Sequence, residues 1–502
     1  MYWANFLHIY QPPDQTPDIL ERVVNESYRA LIKGLTANAR AKLTLNINGC
    51  LTELLAKKGY GDVIRELKRL AGQGQIEFTS SAKYHAFLPK LPTKEIIRQI
   101  RLNDQTNKKY FGEFYHPQGF FSPEMAYSKP VARIVKELGF KWLLIDEIGL
   151  NGGKSLADFS KIYHLKGAED FYIYFKTERA SNLIAGAVVR QVPSFLKELA
   201  EDYQDKKYLI TAMDGETFGH HRPGLEEFLF AIYRSKKFRS IFVSEISNYF
   251  HKKEPADPVP STWSCNREDI TKGLPYKLWY QPDNPLQKKQ WQFVYWAIRN
   301  IENKKYPAKN YLKARRSLDA ALNSCHFWWA SKYWWSLEII EQGAFNLMQT
   351  VKQTGSAKLI AQAKKLYQQI LNLAFGWQRD GTIREFHKQQ EKWQKVPLKQ
   401  RTTAEWFNQL ILEFADEMKK SAQNQEYEKA IKWRDAAIKL KNGADVYDAL
   451  HVVNELGRIR RIPSVKPFAK HRRFAKFALS HFLPHPHLIK LTRKNDQFKK
   501  RG

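Results

Sequence analysis

Cysteine is scarce in this sequence: three residues, Cys50, Cys265 and Cys325, among 502. They lie far apart and are odd in number, which excludes a disulfide framework, shows no zinc-ligand spacing and suits a reducing compartment. No apolar run approaches the roughly 20 residues that a membrane-crossing helix needs. The opening residues Met1-Tyr2-Trp3-Ala4-Asn5-Phe6 carry neither a cationic leader nor a cleavage site. The expectation is a soluble, cytoplasmic protein with no membrane contact. No long internal repeat is visible, so a repeat array is not expected.

Acids are also few, 51 Asp and Glu against 82 Lys and Arg, for a formal charge of +31. The excess is concentrated at one end. Residues 457–502 hold 14 Lys or Arg and a single acid, Asp496, and so carry +13 of the total. This tail has scattered Phe, no Trp or Tyr and no recognisable nucleic-acid module, so it reads as a solvated, flexible end and nucleic acid is not an expected partner. It also holds His481, His485 and His487, but Pro484 and Pro486 break any helix that would align them, and no acidic or Cys ligand is near. No metal and no cofactor is expected.

Aromatics, by contrast, are abundant: 14 Trp, 24 Tyr and 30 Phe, or 14% of the chain. Sugar rings offer flat C–H faces that pack on such rings, although a core built of large side chains accounts for most of them.

Short apolar runs alternate with amphipathic stretches through about the first 250 residues. The predicted strands are Trp3–Ile9, Lys42–Ile47, Gln75–Thr79, Gly119–Ser122, Lys141–Ile145, Lys207–Met213 and Ser240–Val243. Alternation of this kind implies an α/β fold with a parallel sheet, open and doubly wound or closed as a barrel. His8, Glu124, Asp146, Asp214 and Glu216 fall at or just after strand ends, where barrels gather functional groups, and this favours the barrel. After Pro255, Pro258 and Pro260 the period becomes helical and Trp-rich. The division expected is a barrel over 1–260, a helical domain over 261–378, a helical segment over 403–456 and the basic tail over 457–502.

Two segments supply a pair of carboxylates suited to cleaving a glycosidic bond, one to attack the sugar carbon and one to protonate the leaving oxygen. One is Ser122-Pro123-Glu124-Met125-Ala126-Tyr127. The other is Asp214-Gly215-Glu216-Thr217-Phe218-Gly219-His220, an apolar strand running into a polar, Gly-broken loop. Helix capping is the alternative use of the same two acids.

Five segments in order resemble glycoside hydrolase family 57. The first is Phe6-Leu7-His8-Ile9-Tyr10-Gln11-Pro12-Pro13. The second runs from Gly74-Gln75-Ile76-Glu77 to Tyr84-His85 and Leu88-Pro89. The Glu124 segment with Glu137-Leu138-Gly139-Phe140 is the third, and the Asp214 segment the fourth. The fifth is Ser261-Thr262-Trp263-Ser264, continuing to Leu278-Trp279 and Asn284-Pro285. The resemblance covers about residues 1–350. It implies a seven-stranded (β/α) barrel followed by an all-α domain, retaining chemistry without a required metal, and α-glucans or malto-oligosaccharides as substrates. It assigns Glu124 as nucleophile and Asp214 as general acid/base. Two positions depart from the family pattern: Tyr10 stands where His is common, with His8 two residues earlier, and His221 stands where many members carry Trp.

The remaining candidate substrate-binding residues are His8, Tyr10, Gln11, Glu77, His85, Glu216, His220, His221, Trp263 and Trp279. Glu77 and His85 serve either sugar hydroxyls or internal hydrogen bonding. Glu216 either tunes Asp214 by like-charge proximity or pairs with Arg222. Trp263 and Trp279 either stack on sugar or pack the core.

Near the C-terminus, Tyr427-Glu428-Lys429-Ala430 and Arg434-Asp435 resemble the UVR motif, a helical hairpin that serves protein–protein contact, which implies a protein partner for residues 412–442; an ordinary hairpin is the alternative. The leading expectation is a retaining glycoside hydrolase, 4-α-glucanotransferase or branching enzyme acting on α-glucans. The alternative is a catalytically silent glycan-binding or scaffold protein that uses the hairpin. A metal-dependent deacetylase would need a His-x-x-x-His pair, and none occurs in the barrel region.

Overall fold

The computed structural model describes residues 1–199, 207–302, 306–394 and 404–442. The chain divides into two compact units, one of Met1–Ser181 with Ala200–Ile383 and one of Asn182–Leu199 with Arg384–Gly502. The basic tail at 457–502, with His481, His485 and His487, lies outside the described residues.

The first unit is built on ten strands: β1 (Tyr2–Ile9), β2 (Leu43–Ile47), β3 (Ile76–Thr79), β4 (Gly119–Phe121), β5 (Trp142–Asp146), β6 (Ile162–Leu165), β7 (Ala168–Lys176), β8 (Tyr208–Asp214), β9 (Arg239–Ile241) and β10 (Lys253–Ala256). Two sheets run β3-β2-β1-β8 and β10-β6-β7-β5-β4. Ser80 joins one edge by bonding Gly119 and Phe121 across a parallel bridge to Phe120. Thr177 joins the other, its N–H donating to the Ile210 carbonyl at 2.8 Å. Seven strands, β1 to β5 with β7 and β8, therefore close into the expected barrel.

The strands read as continuous apolar runs because each is covered on both faces, by the barrel interior and by surrounding helices. All of β2 and β5 is buried, and all of β1 after Tyr2. Gly119 shows how tightly they pack: a Cβ there would lie 2.1 Å from the Trp142 indole.

The structure differs from the sequence reading at several strands: β6, β7 and β10 have no predicted counterpart. The seventh barrel strand is β7, whereas the stretch predicted at Ser240–Val243 forms the short β9, which pairs with only Tyr2, Trp3 and Ala4 of β1. In β7 the exposed Glu169 and Asp170 precede Phe171-Tyr172-Ile173-Tyr174-Phe175, and this acidic start masks the apolar run behind it.

Parallel pairing lines the strand ends up at one mouth. His8 is level with Asn46 of β2 and Asp214 of β8, and Asp146 of β5 is level with Lys176 of β7. Helices Pro285–Glu302, Ala308–Ala321, Leu337–Lys352 and Ala357–Arg379 complete this unit. They are tied to the barrel helix Thr93–Phe111 by buried Arg315, which bonds Glu95 through two N–H groups at 2.8 Å and Asp319 at 2.9 Å.

In the second unit, Ala404–Gln423 and Tyr427–Lys441 form a helical hairpin closed on Trp433, whose ring meets Phe414 at 5.2 Å. Among the described residues no helix is long and apolar enough to cross a membrane.

Candidate active site

Glu124 follows β4 in a tight turn that Pro123 starts. Its backbone is left-handed (φ 64°), as are those of Met125 (φ 47°) and His85 (φ 54°). Non-glycine residues adopt this region at a cost, and such strain concentrates where function fixes a side chain. The Trp263 indole N–H donates to Glu124 Oε2 at 2.9 Å, and the Trp263 backbone N–H donates to the Glu124 carbonyl at 3.2 Å. Glu124 Oε1 lies 3.8 Å from His85 Nδ1, and the Glu124 side chain remains 18% exposed. Desolvation pushes its carboxyl up to about 7, against the Trp263 hydrogen bond, which favours the charged form.

Asp214 ends β8 and is half-buried. Its carboxyl is held well above the usual range, first by desolvation, then by the negative charges of Glu216 and Glu124, with Lys176 opposing. The two carboxyls therefore interact, and the proton affinity of Asp214 is raised by both neighbouring acids.

Glu216 is buried and fully engaged. Its Oε1 accepts from the Tyr28 hydroxyl at 2.5 Å, the Tyr10 backbone N–H at 3.2 Å and Gln11 Nε2 at 3.3 Å. Tyr28 reaches it from a π-helical turn, Val24–Tyr28, whose Ser27 hydroxyl donates to the Gly215 carbonyl at 3.0 Å. The negative charge of Glu216 raises the proton affinity of Asp214, which corresponds to the like-charge alternative.

The histidines form a directed chain. Asn46 uses its N–H₂ group on Thr79 and Ser80, so its Oδ1 accepts from His8 Nδ1 at 2.8 Å. Burial lowers His8 to about 4 and His85 well below its ordinary value, so both rings are neutral at pH 7. His8 Nε2 must then accept from His85 Nε2 at 3.1 Å, and His85 Nδ1 must accept from the Ser324 hydroxyl at 2.9 Å. Tyr10 stacks on His85 at 4.2 Å and 14°, with its hydroxyl 3.5 Å from Cys325 Sγ.

Other predicted residues lie elsewhere. Glu77 bonds Thr44 and Ser244, at 2.6 Å and 2.5 Å, which is the internal hydrogen-bonding alternative. Trp279 is 1% exposed and stacked on Phe87 at 5.1 Å, which is the core alternative. His220 pairs with Glu26 at 2.5 Å, held there by Gly219 (φ 93°), where a Cβ would strike the Glu26 carbonyl at 1.8 Å. His221 is exposed beside it. Sequence reasoning missed Tyr28, Asn46, Lys176 and Ser324. A polar residue ending an apolar run marks Lys176, and one just before the end of such a strand marks Asn46; nothing local marks Ser324. Lys176 Nζ bonds Asp146 Oδ2 at 2.8 Å with both side chains buried. Among the described residues no group of three or more His, Cys, Asp or Glu is placed to hold a metal ion.

A parallel barrel with titratable groups gathered at its C-terminal mouth is an architecture on which enzymes carry active sites. The family model for glycosyl hydrolase family 57 matches residues 5–259, half of the chain, and the chain belongs to that family. An alpha-amylase of Pyrococcus horikoshii is 24% identical over 258 residues, covering 49% of this chain and 40% of that protein. An alpha-amylase of Pyrococcus furiosus is 24% identical over 330 residues, covering 62% and 49%. The chain thus spans less than half the length of these curated relatives. Among solved structures, the 4-alpha-glucanotransferase from Thermococcus litoralis shares the fold with a TM-score of 0.57 at 17% identity, over 70% of this chain and 60% of that one. A separate model, the UvrB/UvrC motif, matches residues 408–443.

Proposed function

We propose that this protein is a retaining enzyme of α-glucans, with Glu124 as nucleophile and Asp214 as general acid/base. The observation that carries this reading is the pairing of two accessible carboxyls at one barrel mouth, with Asp214 held well above the usual carboxylate range by desolvation and by the charges of Glu216 and Glu124. Asp214, whose raised proton affinity favours its protonated form, gives that proton to the glycosidic oxygen. Glu124, whose Oε2 is held by Trp263, presents Oε1 to the anomeric carbon. As the leaving chain departs, Glu124 forms a glycosyl ester and its charge is lost, which lowers the proton affinity of Asp214 and turns it into the base that activates the incoming water or sugar hydroxyl. Tyr10, Gln11, His8 and His85 serve as walls and orienting groups. The amylase and glucanotransferase names of the relatives support α-linked glucose polymers as the substrate class.

Incubation of the purified protein with maltoheptaose, followed by product profiling, tests the reading. Shorter oligosaccharides alone indicate hydrolysis, and a ladder with longer chains indicates transfer. No new product at any protein concentration overturns it.

The hairpin motivates a second role. Leu412, Ile431 and Ile438 are 63%, 46% and 48% exposed, an apolar surface that suits a protein partner at residues 412–442. Loss of glucan turnover would leave that role, a glycan-binding scaffold, as the surviving alternative.

A further inference from the structure

The segment that supplies Ser324 and Cys325 to the candidate site continues directly into Phe327-Trp328-Trp329-Ala330-Ser331-Lys332-Tyr333-Trp334-Trp335. Large aromatics in such a run are expected to be buried, yet Tyr333 is 44% and Trp334 48% exposed. Their exposure is not looseness. The Trp334 N–H donates to Ser331 Oγ at 3.1 Å, closing a turn that turns the indole outward. One face of that indole stacks on Trp328 at 4.7 Å and 20°, and Trp328 is itself braced edge-on by Trp329 at 4.9 Å and 85°. Trp334 is thus a flat surface fixed from behind.

The rim is polar and cationic. Lys277 sits 5.1 Å over the Tyr333 ring, and the neighbouring Trp335 donates its indole N–H to Gln378 at 2.9 Å. No Leu, Ile or Val falls within the run, in contrast to the aliphatic surface of the C-terminal hairpin. Rigid rings framed by hydrogen-bonding side chains suit a pyranose, which offers C–H groups on its faces and hydroxyls around its edge. They suit an aliphatic protein surface poorly. An occupant is also indicated by continuity, since this one segment touches His85 and Tyr10 at its start and carries Tyr333 and Trp334 eight to ten residues later.

We propose that Trp334, backed by Trp328 and flanked by Tyr333, is a binding platform for an α-linked glucose polymer, engaging parts of the chain outside the catalytic centre. The proposal rests on the α-glucan reading of the site and adds to it a surface that holds the polymer away from the reacting bond.

The test uses the full-length protein and its Trp334→Ala and Tyr333→Ala variants. Retention by glycogen in native gels is measured in the Glu124→Gln background, where it is independent of turnover, and kcat and KM are measured on glycogen and on maltotriose in the active background. Loss of one stacking surface is expected to weaken glycogen retention and raise KM for glycogen about three- to tenfold, with kcat on maltotriose unchanged. Unchanged glycogen retention in both variants overturns the platform, as does an equal loss on glycogen and maltotriose. A variant that shifts from a larger assembly to monomer in size-exclusion chromatography, with retention intact, overturns it in favour of an interface between copies. Failure of the wild-type protein to turn over any glucan, with Trp334-dependent retention preserved, would strike the catalytic reading and leave the platform standing.

Discussion

Trp263 grips Glu124 twice, through its indole N–H on the carboxylate at 2.9 Å and through its backbone N–H on the carbonyl at 3.2 Å. The backbone bond helps hold a left-handed residue in place, and the indole bond orients the carboxylate and favours its charged form. Trp263→Phe keeps most of the ring and the backbone bond but removes the donor. It is expected to lower kcat about 10- to 100-fold with little change in KM, the loss typical of a donor to a reacting group. The acid limb of the pH profile should also move upward, because Glu124 loses the bond that favours ionisation. Steady-state kinetics across pH measures both effects.

The same titrations set the pH dependence of the wild-type enzyme. Glu124 must be charged to attack, so kcat/KM is expected to rise as pH passes through about 7. Asp214 must keep its proton, so activity falls again where Asp214 ionises, above the usual carboxylate range. In Asp214→Asn, turnover of maltoheptaose should drop by several orders of magnitude. A glucosyl fluoride, whose leaving group needs no proton, should still glycosylate Glu124. Equal loss on both substrates contradicts the acid role.

Stability carries the sign of the raised carboxyl. Because the folded value for Glu124, about 7, exceeds the ordinary carboxyl value, its contribution is fully favourable below about pH 4.5 and is lost as pH rises through 7. Glu124→Gln removes the charge and keeps an oxygen for the Trp263 N–H. Its melting temperature is expected to exceed that of the wild type above pH 7, by up to the order of 3 kcal/mol in free energy, and to match it near pH 4. Calorimetry at the two pH values decides it.

Lys176 lies buried beside two acids, bonding Asp146 at 2.8 Å and opposing the upward shift of Asp214. Lys176→Met strands a buried carboxylate and is expected to cost about 3–5 kcal/mol of stability. Adding Asp146→Asn, which keeps the acceptor for the Ile148 N–H, should recover much of that loss. The alkaline limb of the double variant should still lie above that of the wild type, because the cation near Asp214 is gone. Thermal melts and pH profiles of the three proteins measure the two effects separately.

The two carboxyls, the barrel and its helical continuation were legible because each has a local signal. Glu124 closely follows one apolar strand and Asp214 ends another, in segments whose order carries the family pattern. The barrel strand that escaped, β7, opens with acids that break its apolar pattern. The hydrogen-bond partners were legible only in part. Glu77 reads like a site residue in sequence, yet its oxygens are taken up by Thr44 and Ser244. Ser324 reads like nothing, yet it anchors the His85–His8 chain across 239 positions. Such partnerships depend on which strand ends share a level and which helix returns to the mouth, and neither is encoded in a short window. The uses of Glu216 and Trp279 were open for the same reason, since burial decides between them.

The most direct measurement is covalent trapping. A 5-fluoro-α-glucosyl fluoride, which slows hydrolysis of the ester more than its formation, is incubated with the wild-type protein, and the labelled peptide is sequenced by mass spectrometry. A glycosyl adduct on Glu124, absent from Glu124→Gln, is the expected result. An adduct on another acid, or maltoheptaose turnover that persists undiminished in Glu124→Gln, would contradict the assignment of Glu124 as the nucleophile.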